Sequence, residues 1–268
     1  MLIDVRHITR YRYQEPTRYS VQRLHLAPQN HDGQKVIHWN IVLPPEARCL
    51  DYEDAFGNRV HLATLGEPHD SIEIVAEGRV ERQDTAGVVK RARSPVPDSL
   101  FLRQTAATEA SAGIRDLAQR LGPKPDIEAL HRLMGDIRDR MEYETGVTDA
   151  HTSAAEALAE GRGVCQDHAQ VFVSSVREAG VPARYISGYL LLEGDAMAEA
   201  SHAWAEVLVP HLGWVGFDIA NRICPTERYV RVASGLDAHG VTPVRGTRRG
   251  GGMERLEVEV RVQEGNEQ

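Results

Sequence analysis

Apolar and polar residues alternate in short runs from residue 2 to residue 82. Ile37, Trp39, Ile41 and Leu43 occupy every second position, and Ile72 and Ile74 repeat the pattern within 71–76. A period of two puts one set of side chains on one face of a pleated strand, so each run predicts a strand with a single buried face. Phe56-Gly57-Asn58 stands between two such runs and reads as a hairpin turn. About six such strands predict a small β-sandwich or related all-β domain over residues 1–88. Its expected role is to scaffold the chain or position a substrate, without chemistry of its own.

A polar stretch with Pro95 and Pro97 follows, and the period then lengthens to that of a helix. Residues 106–121 form one helical run, stopped before Pro123. Asp126 is placed to cap a second, which extends to Met141. Ser153-Ala154-Ala155-Glu156 has capping-box spacing and opens a short helix to Glu160. Gly161 and Gly163 break that run. Cys165, Ala169, Phe172, Val173 and Val176 then fall at helical spacing, so a helix begins at the cysteine with its thiol on the buried stripe. Gly180 is placed as its C-cap, with Pro182 just beyond. Strands are expected at 184–192, 201–209, 214–218, 229–232 and 256–262. The glycines and arginines of 246–252 read as a mobile loop, since no strand feeds them and no helix follows to make a phosphate cradle. The pattern predicts an α+β chain whose second domain spans 89–268.

Composition narrows the class. Hydrophobic content of 41% and charged content of 26% suit a soluble globular enzyme. A formal net charge of −8 argues against nucleic acid or an anionic membrane as the main partner. Short basic clusters at 90–93 and 245–249 read as solvated loops. No apolar stretch approaches the roughly 18 residues of a membrane span, and the N-terminus shows no signal-peptide apolar core. Cys49, Cys165 and Cys224 are too widely spaced for a disulfide framework, so a reducing, cytoplasmic location is expected.

The chemistry centres on Cys165. A thiol at a helix N-terminus faces unpaired backbone N–H groups and the positive end of the helix dipole, and both favour the nucleophilic thiolate. A free cysteine can equally be an inert core residue. Two downstream residues separate these readings: His202 on the 201–209 strand and Asp218 at the end of the 214–218 strand. Together the three supply a nucleophile, a base and a group that orients the base. Gln166 and Asp167 are expected to orient the cysteine turn. The backbone N–H of Cys165 is the natural oxyanion donor, with Tyr143 a candidate for a second. Trp204 and Trp214 read as core or as pocket wall. A hairpin folded symmetrically about 210–213 would set Asp218 opposite residue 205, so the triad demands an asymmetric turn or a bulge there. A rival metal set of Cys165, His168 and His202 lacks the second ligand pair of a closed zinc site, so neither metal nor cofactor is expected.

Four blocks carry a resemblance: Gly163-Val164-Cys165-Gln166-Asp167, Arg184-Tyr185-Ile186-Ser187-Gly188-Tyr189, His202-Ala203-Trp204-Ala205-Glu206-Val207 and Gly213-Trp214-Val215-Gly216-Phe217-Asp218. In this order they resemble the core of bacterial transglutaminase-like proteins. The N-terminal third is similar to the β-rich region that precedes that core, most clearly at Asp54-Ala55-Phe56-Gly57-Asn58. The resemblance implies a papain-like fold, helices on an antiparallel sheet, and a Cys165-His202-Asp218 triad. It also implies cysteine peptidase, amidase or transglutaminase activity on a peptide or amide substrate. Where relatives continue with Pro-Thr after the aspartate, this chain has Ile219-Ala220. Hydrolysis needs no second substrate site and is the simpler expectation. The alternatives are amine transfer and a catalytically silent peptide-binding module.

Overall fold

The computed structural model describes residues 1–90, 92, 94–122, 125–192 and 201–265. Arg91 and Arg93 of the first basic cluster, and the Pro123 helix stop, lie outside them.

Five strands fill the first 82 residues, against the six read from the pattern: β1 (Leu2–Ala27), β2 (Gln34–Val42), β3 (Arg48–Glu53), β4 (Arg59–Leu65) and β5 (His69–Arg82). The count falls because β1 is one strand of 26 residues with two roles. Its first half pairs with β5 from Leu2 to Arg12, and its second half pairs with β4 from Ser20 onward. Irregular register between Arg12 and Thr17 separates the halves. Ile3, Val5, Leu24 and Leu26 of β1 are all buried.

The chain then passes through the two-residue strand β6 (Val88–Val89) into α1 (Ala112–Leu121), α2 (Ile127–Arg140), β7 (Glu142–Tyr143), α3 (Ala154–Glu160), β8 (Arg162–Gly163) and α4 (Cys165–Glu178). Caps set these boundaries. Ser111 Oγ accepts the Ile114 N–H, so α1 begins there, while Ala106–Thr108 forms only a 3-10 turn. Asp126 accepts the Ala129 N–H at 2.7 Å, and Ser153 and Glu156 form the expected capping box. Gly161 ends α3 in the left-handed conformation, φ 68°.

Five antiparallel strands form the second sheet, in the order β12-β9-β10-β11-β6, with β9 (Ala183–Leu190), β10 (Ser201–Val209), β11 (Gly213–Phe217) and β12 (Tyr229–Gly235). α4 crosses β10 and β9, and α1, α2 and α3 cover its other side. This leaves α4 buried from Asp167 to Arg177, beyond the one stripe its pattern predicts. Phe172, Val176, Ala205, Val207 and Phe217 share the core that results.

The chain ends in β13 (Val244–Gly250) and β14 (Glu254–Glu264). Both pair with β1, β14 along Ile3–Tyr13 and β13 along Thr17–Leu24. This corrects the division at residue 88, because 244–264 complete the N-terminal sheet instead of the second domain. It also corrects the loop expected at 246–252, most of which is strand. An exposed strand of glycine and arginine has no apolar alternation, and only the free edge of β1 makes it a strand. Among the described residues, no helix is long and apolar enough to cross a membrane.

Candidate active site

Local chemistry shapes the start of α4. Val164 is extended and precedes the helix. Its N–H donates to Asp167 Oδ2 at 2.8 Å, and the Thr148 hydroxyl donates to the same oxygen at 2.7 Å. Asp167 therefore orients the cysteine turn, as its position predicts. A Cβ on Gly163 would lie 2.6 Å from that carboxylate oxygen, so the second glycine of the turn is needed for space. Cys165 is thereby delivered, half-buried, to the first position of a helix whose leading N–H groups have no intrahelical acceptor.

His202 comes from β10, opposite Gly188 of β9. The β10–β11 turn is neither asymmetric nor bulged, contrary to the expectation; it is symmetric about residue 211 and one residue shorter than the 210–213 loop. Val209 pairs with Gly213 and Ala205 with Phe217, leaving a three-residue loop with His211 at φ 68° before Gly213 at φ 86°. One residue past Phe217, Asp218 falls in register with Trp204, not Ala205, and Trp204 shares a face with His202. The shorter turn removes one position of the offset without a bulge in either strand, and the two side chains, reaching toward each other on the shared face, span the other two. His202 Nε2 donates to Asp218 Oδ2 at 2.7 Å.

Asp218 is fully buried, and its Oδ2 accepts two further hydrogen bonds, from Tyr229 Oη at 2.6 Å and Asn221 Nδ2 at 2.7 Å. The Asn221 backbone N–H donates to Oδ1 at 3.2 Å. Sequence reasoning missed both residues. Asn221, three positions after the carboxylate, carried a weak turn signal. Tyr229 carried none, because a tyrosine on a predicted strand reads as packing. The Ile219-Ala220 departure leaves the aspartate in place: Ile219 is buried, and Asp218 exchanges backbone hydrogen bonds with Ile223.

Burial alone would lower the His202 pKa. Hydrogen bonds to Asp218 and Cys165, with the negative charges of both, outweigh it and raise the value to about 10. Burial would likewise raise that of Asp218, but the His202 hydrogen bond and charge, then the Tyr229 and Asn221 donors, hold it below its ordinary value. Since Nε2 serves Asp218, Nδ1 is the nitrogen left for the thiol. Trp204 stacks on the His202 ring, with centroids 6.4 Å apart, and Tyr229 meets it edge-on. Both exclude water from the imidazole.

Cys165 and His202 open onto one cavity of about 200 Å³, also walled by Gln166, Tyr185, Ser187 and Ser201. Burial, then the charges of Cys165 and Asp167, push the Tyr185 phenol well above its ordinary pKa, so it faces the thiol as a neutral hydroxyl. The residues weighed for other roles lie elsewhere. Tyr143 stacks on His168. The His168 ring nitrogens face the carbonyl oxygens of Val164 at 2.9 Å and Met141 at 3.2 Å. Trp214 packs beneath the Arg184 guanidinium, 4.1 Å from its ring centroid. Among the described residues, no group of three or more His, Cys, Asp and Glu is arranged to hold a metal ion. The geometry can present a thiolate, a buried imidazolium and a helix N-terminus to one carbonyl group.

Comparison with known proteins agrees with this architecture. Residues 3–81 match the bacterial transglutaminase-like N-terminal region, and 115–219 match the transglutaminase-like superfamily. An uncharacterized protein of Mycobacterium leprae is 30% identical over 96% of each chain. One from Mycobacterium tuberculosis is 31% identical over 90% of this chain and 86% of its own. A crystal structure of a candidate cysteine protease from Cytophaga hutchinsonii superposes with a TM-score of 0.76 at 19% identity, covering 100% of this chain and 92% of that one. These relatives match 90–96% of this chain, across both family regions. The protein belongs to the transglutaminase-like superfamily and carries its bacterial N-terminal region.

Proposed function

We propose that the protein is a cysteine hydrolase that cleaves peptide or amide bonds through an acyl-enzyme on Cys165. Superfamily membership supports a thiol-dependent enzyme in general. The observation that carries the finer reading is the clamp on His202, whose Nε2 is held by Asp218 while its ring and the Cys165 thiol line the same cavity. The Cys165 thiolate attacks the carbonyl carbon, and the carbonyl oxygen becomes an oxyanion facing the N–H groups that open α4. As the C–N bond breaks, the His202 imidazolium gives its proton to the departing amine. Neutral His202 then takes a proton from water, and the hydroxide adds to the thioester carbonyl. The C–S bond breaks, the acid leaves, and the imidazolium–thiolate pair is restored. Asp218 keeps its charge throughout and holds the ring in the useful orientation.

Water is the acceptor in this reading because hydrolysis needs no second substrate site. The test starts with iodoacetamide. Partial burial and Asp51 raise the Cys49 thiol pKa, and burial raises that of Cys224, whereas Cys165 has an imidazolium partner. Brief labelling near neutral pH followed by peptide mapping should therefore mark Cys165 first. A library of amide and ester acyl donors, read by intact mass, should then show a transient adduct on Cys165 and release of free acid. Equal labelling of all three cysteines, with turnover retained by Cys165→Ala, would overturn the reading. Amide product replacing free acid as a primary amine is added would make the enzyme a transferase.

A further inference from the structure

Arg245 and Arg249, which the sequence pattern assigns to a loop, stand on β13, where neighbours on β1 fix the face they share. Directly opposed residues on adjacent strands lie on one face of a sheet. Arg245 opposes Arg23, and Arg249 opposes Tyr19. Arg23 in turn opposes Leu62 of β4, which opposes Leu50 of β3, and Arg48 opposes Thr64 in the next row. One outward face of four strands thus gathers Arg23, Arg48, Arg245 and Arg249, with Tyr19 and Leu50 among them. Arg48, Arg245 and Arg249 are exposed, as are Tyr19 at 44% and Leu50 at 62%. Among the described residues, none of these four arginines is in an ion pair with a carboxylate.

This face is costly to leave bare. Like charges directly opposed across two strands destabilise a sheet, and Arg23 and Arg245 are such a pair. The chain around them has a formal net charge of −8, so the face is a local exception to an acidic molecule. It also adjoins the candidate site. Arg23 Nη2 donates to the Gly240 carbonyl at 3.4 Å, in the 3-10 turn His239–Val241. Val241, Thr242 and Pro243 wall the Cys165 cavity, and Arg245 follows Pro243 by two residues, about 7 Å of extended chain. The arginine face begins at the lip of the cavity.

We propose that this face is a docking track for an acidic segment of a polypeptide substrate, held so that a neighbouring peptide or amide bond enters the cavity. The proposal rests on the acyl-transfer reading of Cys165. Carboxylates match the fork of a guanidinium, and a polypeptide offers both carboxylates for the track and an acyl carbon for the thiol.

Docking is tested without turnover, on Cys165→Ala protein, by the fluorescence anisotropy of a labelled peptide carrying a run of glutamates. The control peptide replaces the glutamates with serines. The acidic peptide alone should bind, more weakly as salt rises, and about tenfold or more weakly with Arg245→Glu and Arg249→Glu combined. The milder Arg245→Gln and Arg249→Gln pair should fall between, with thermal melting showing that the fold is kept. With Cys165 restored, the same changes should raise KM for an acidic peptide and leave kcat unchanged. Equal binding of the serine control, indifference to either arginine pair, or equally tight binding of a single-stranded oligonucleotide or anionic vesicle would overturn the track. Acidic-peptide binding by a protein that turns over no acyl donor would instead overturn the acyl-transfer reading and leave the surface standing.

Discussion

Three donors converge on one oxygen of Asp218: the His202 ring, the Tyr229 hydroxyl and the Asn221 amide. Removing a single donor leaves the carboxylate in place, whereas removing its charge leaves the imidazolium without its counter-ion. Tyr229→Phe should therefore lower kcat/KM by at most about 10- to 150-fold, the roughly 1.5–3 kcal/mol of one charge-assisted hydrogen bond. Asp218→Asn should lower it by about 10²–10⁴, still less than Cys165→Ala. The same contacts bear on stability. His202 binds its proton more tightly in the fold, at about 10 against an ordinary 6.5. A pKa raised by folding adds stability that is complete below the unfolded value and is lost as pH rises through the folded one. The thermal stability of the wild type relative to His202→Gln should therefore decline between pH 6.5 and about 10. A difference that stays level across that window contradicts the assignment.

The thiol's placement belongs to an element, the turn that feeds α4. The contact of Gly163 with Asp167 leaves no room for a methyl group, and the carboxylate cannot retreat without releasing the Val164 N–H and the Thr148 hydroxyl. Gly163→Ala should cost about 1–3 kcal/mol, the range of an overpacked site, and should also slow Cys165 alkylation by tilting the start of the helix. Chemical denaturation and timed labelling measure the two effects separately. A loss of stability with unchanged labelling would show that the turn supports the fold without setting the thiol. The β10–β11 turn matters in the same way, since a register change of one residue reverses the face a side chain takes.

Across the whole molecule the two sheets are interlocked. The chain crosses from the first to the second at β6 and returns for β13 and β14. Asn58, from the Asp54-Ala55-Phe56-Gly57-Asn58 turn, ties them further. Its amide donates to the Ser234 carbonyl at 2.8 Å and accepts the Ser234 N–H at 2.8 Å. Gln34 does the same for Arg231, donating to its carbonyl and accepting its N–H, both at 2.8 Å. Urea unfolding should therefore be a single transition reported alike by both sheets. Asn58→Ala should cost about 2–4 kcal/mol, from one lost partner on each of two buried backbone groups. Two separated transitions in the wild type would show that the sheets are independent.

Local order was legible in the chain. Helix caps at Asp126 and Ser153, the glycine turn before Cys165 and the strand carrying His202 rest on interactions within a few residues, which periodicity and residue type report directly. The three candidate side chains could be named for the same reason: each sits at the end or on the face of a locally determined element. What brought them together could not be read. A turn of three residues rather than four set the register of Asp218 against the His202 strand, and Tyr229 came from a strand two places from that one in the sheet order. The division into domains depended on the pairing of β13 and β14 with β1, more than 200 positions away in sequence. Such pairing is settled by which edges remain open once the rest has folded, and an open edge is a property of the tertiary structure alone.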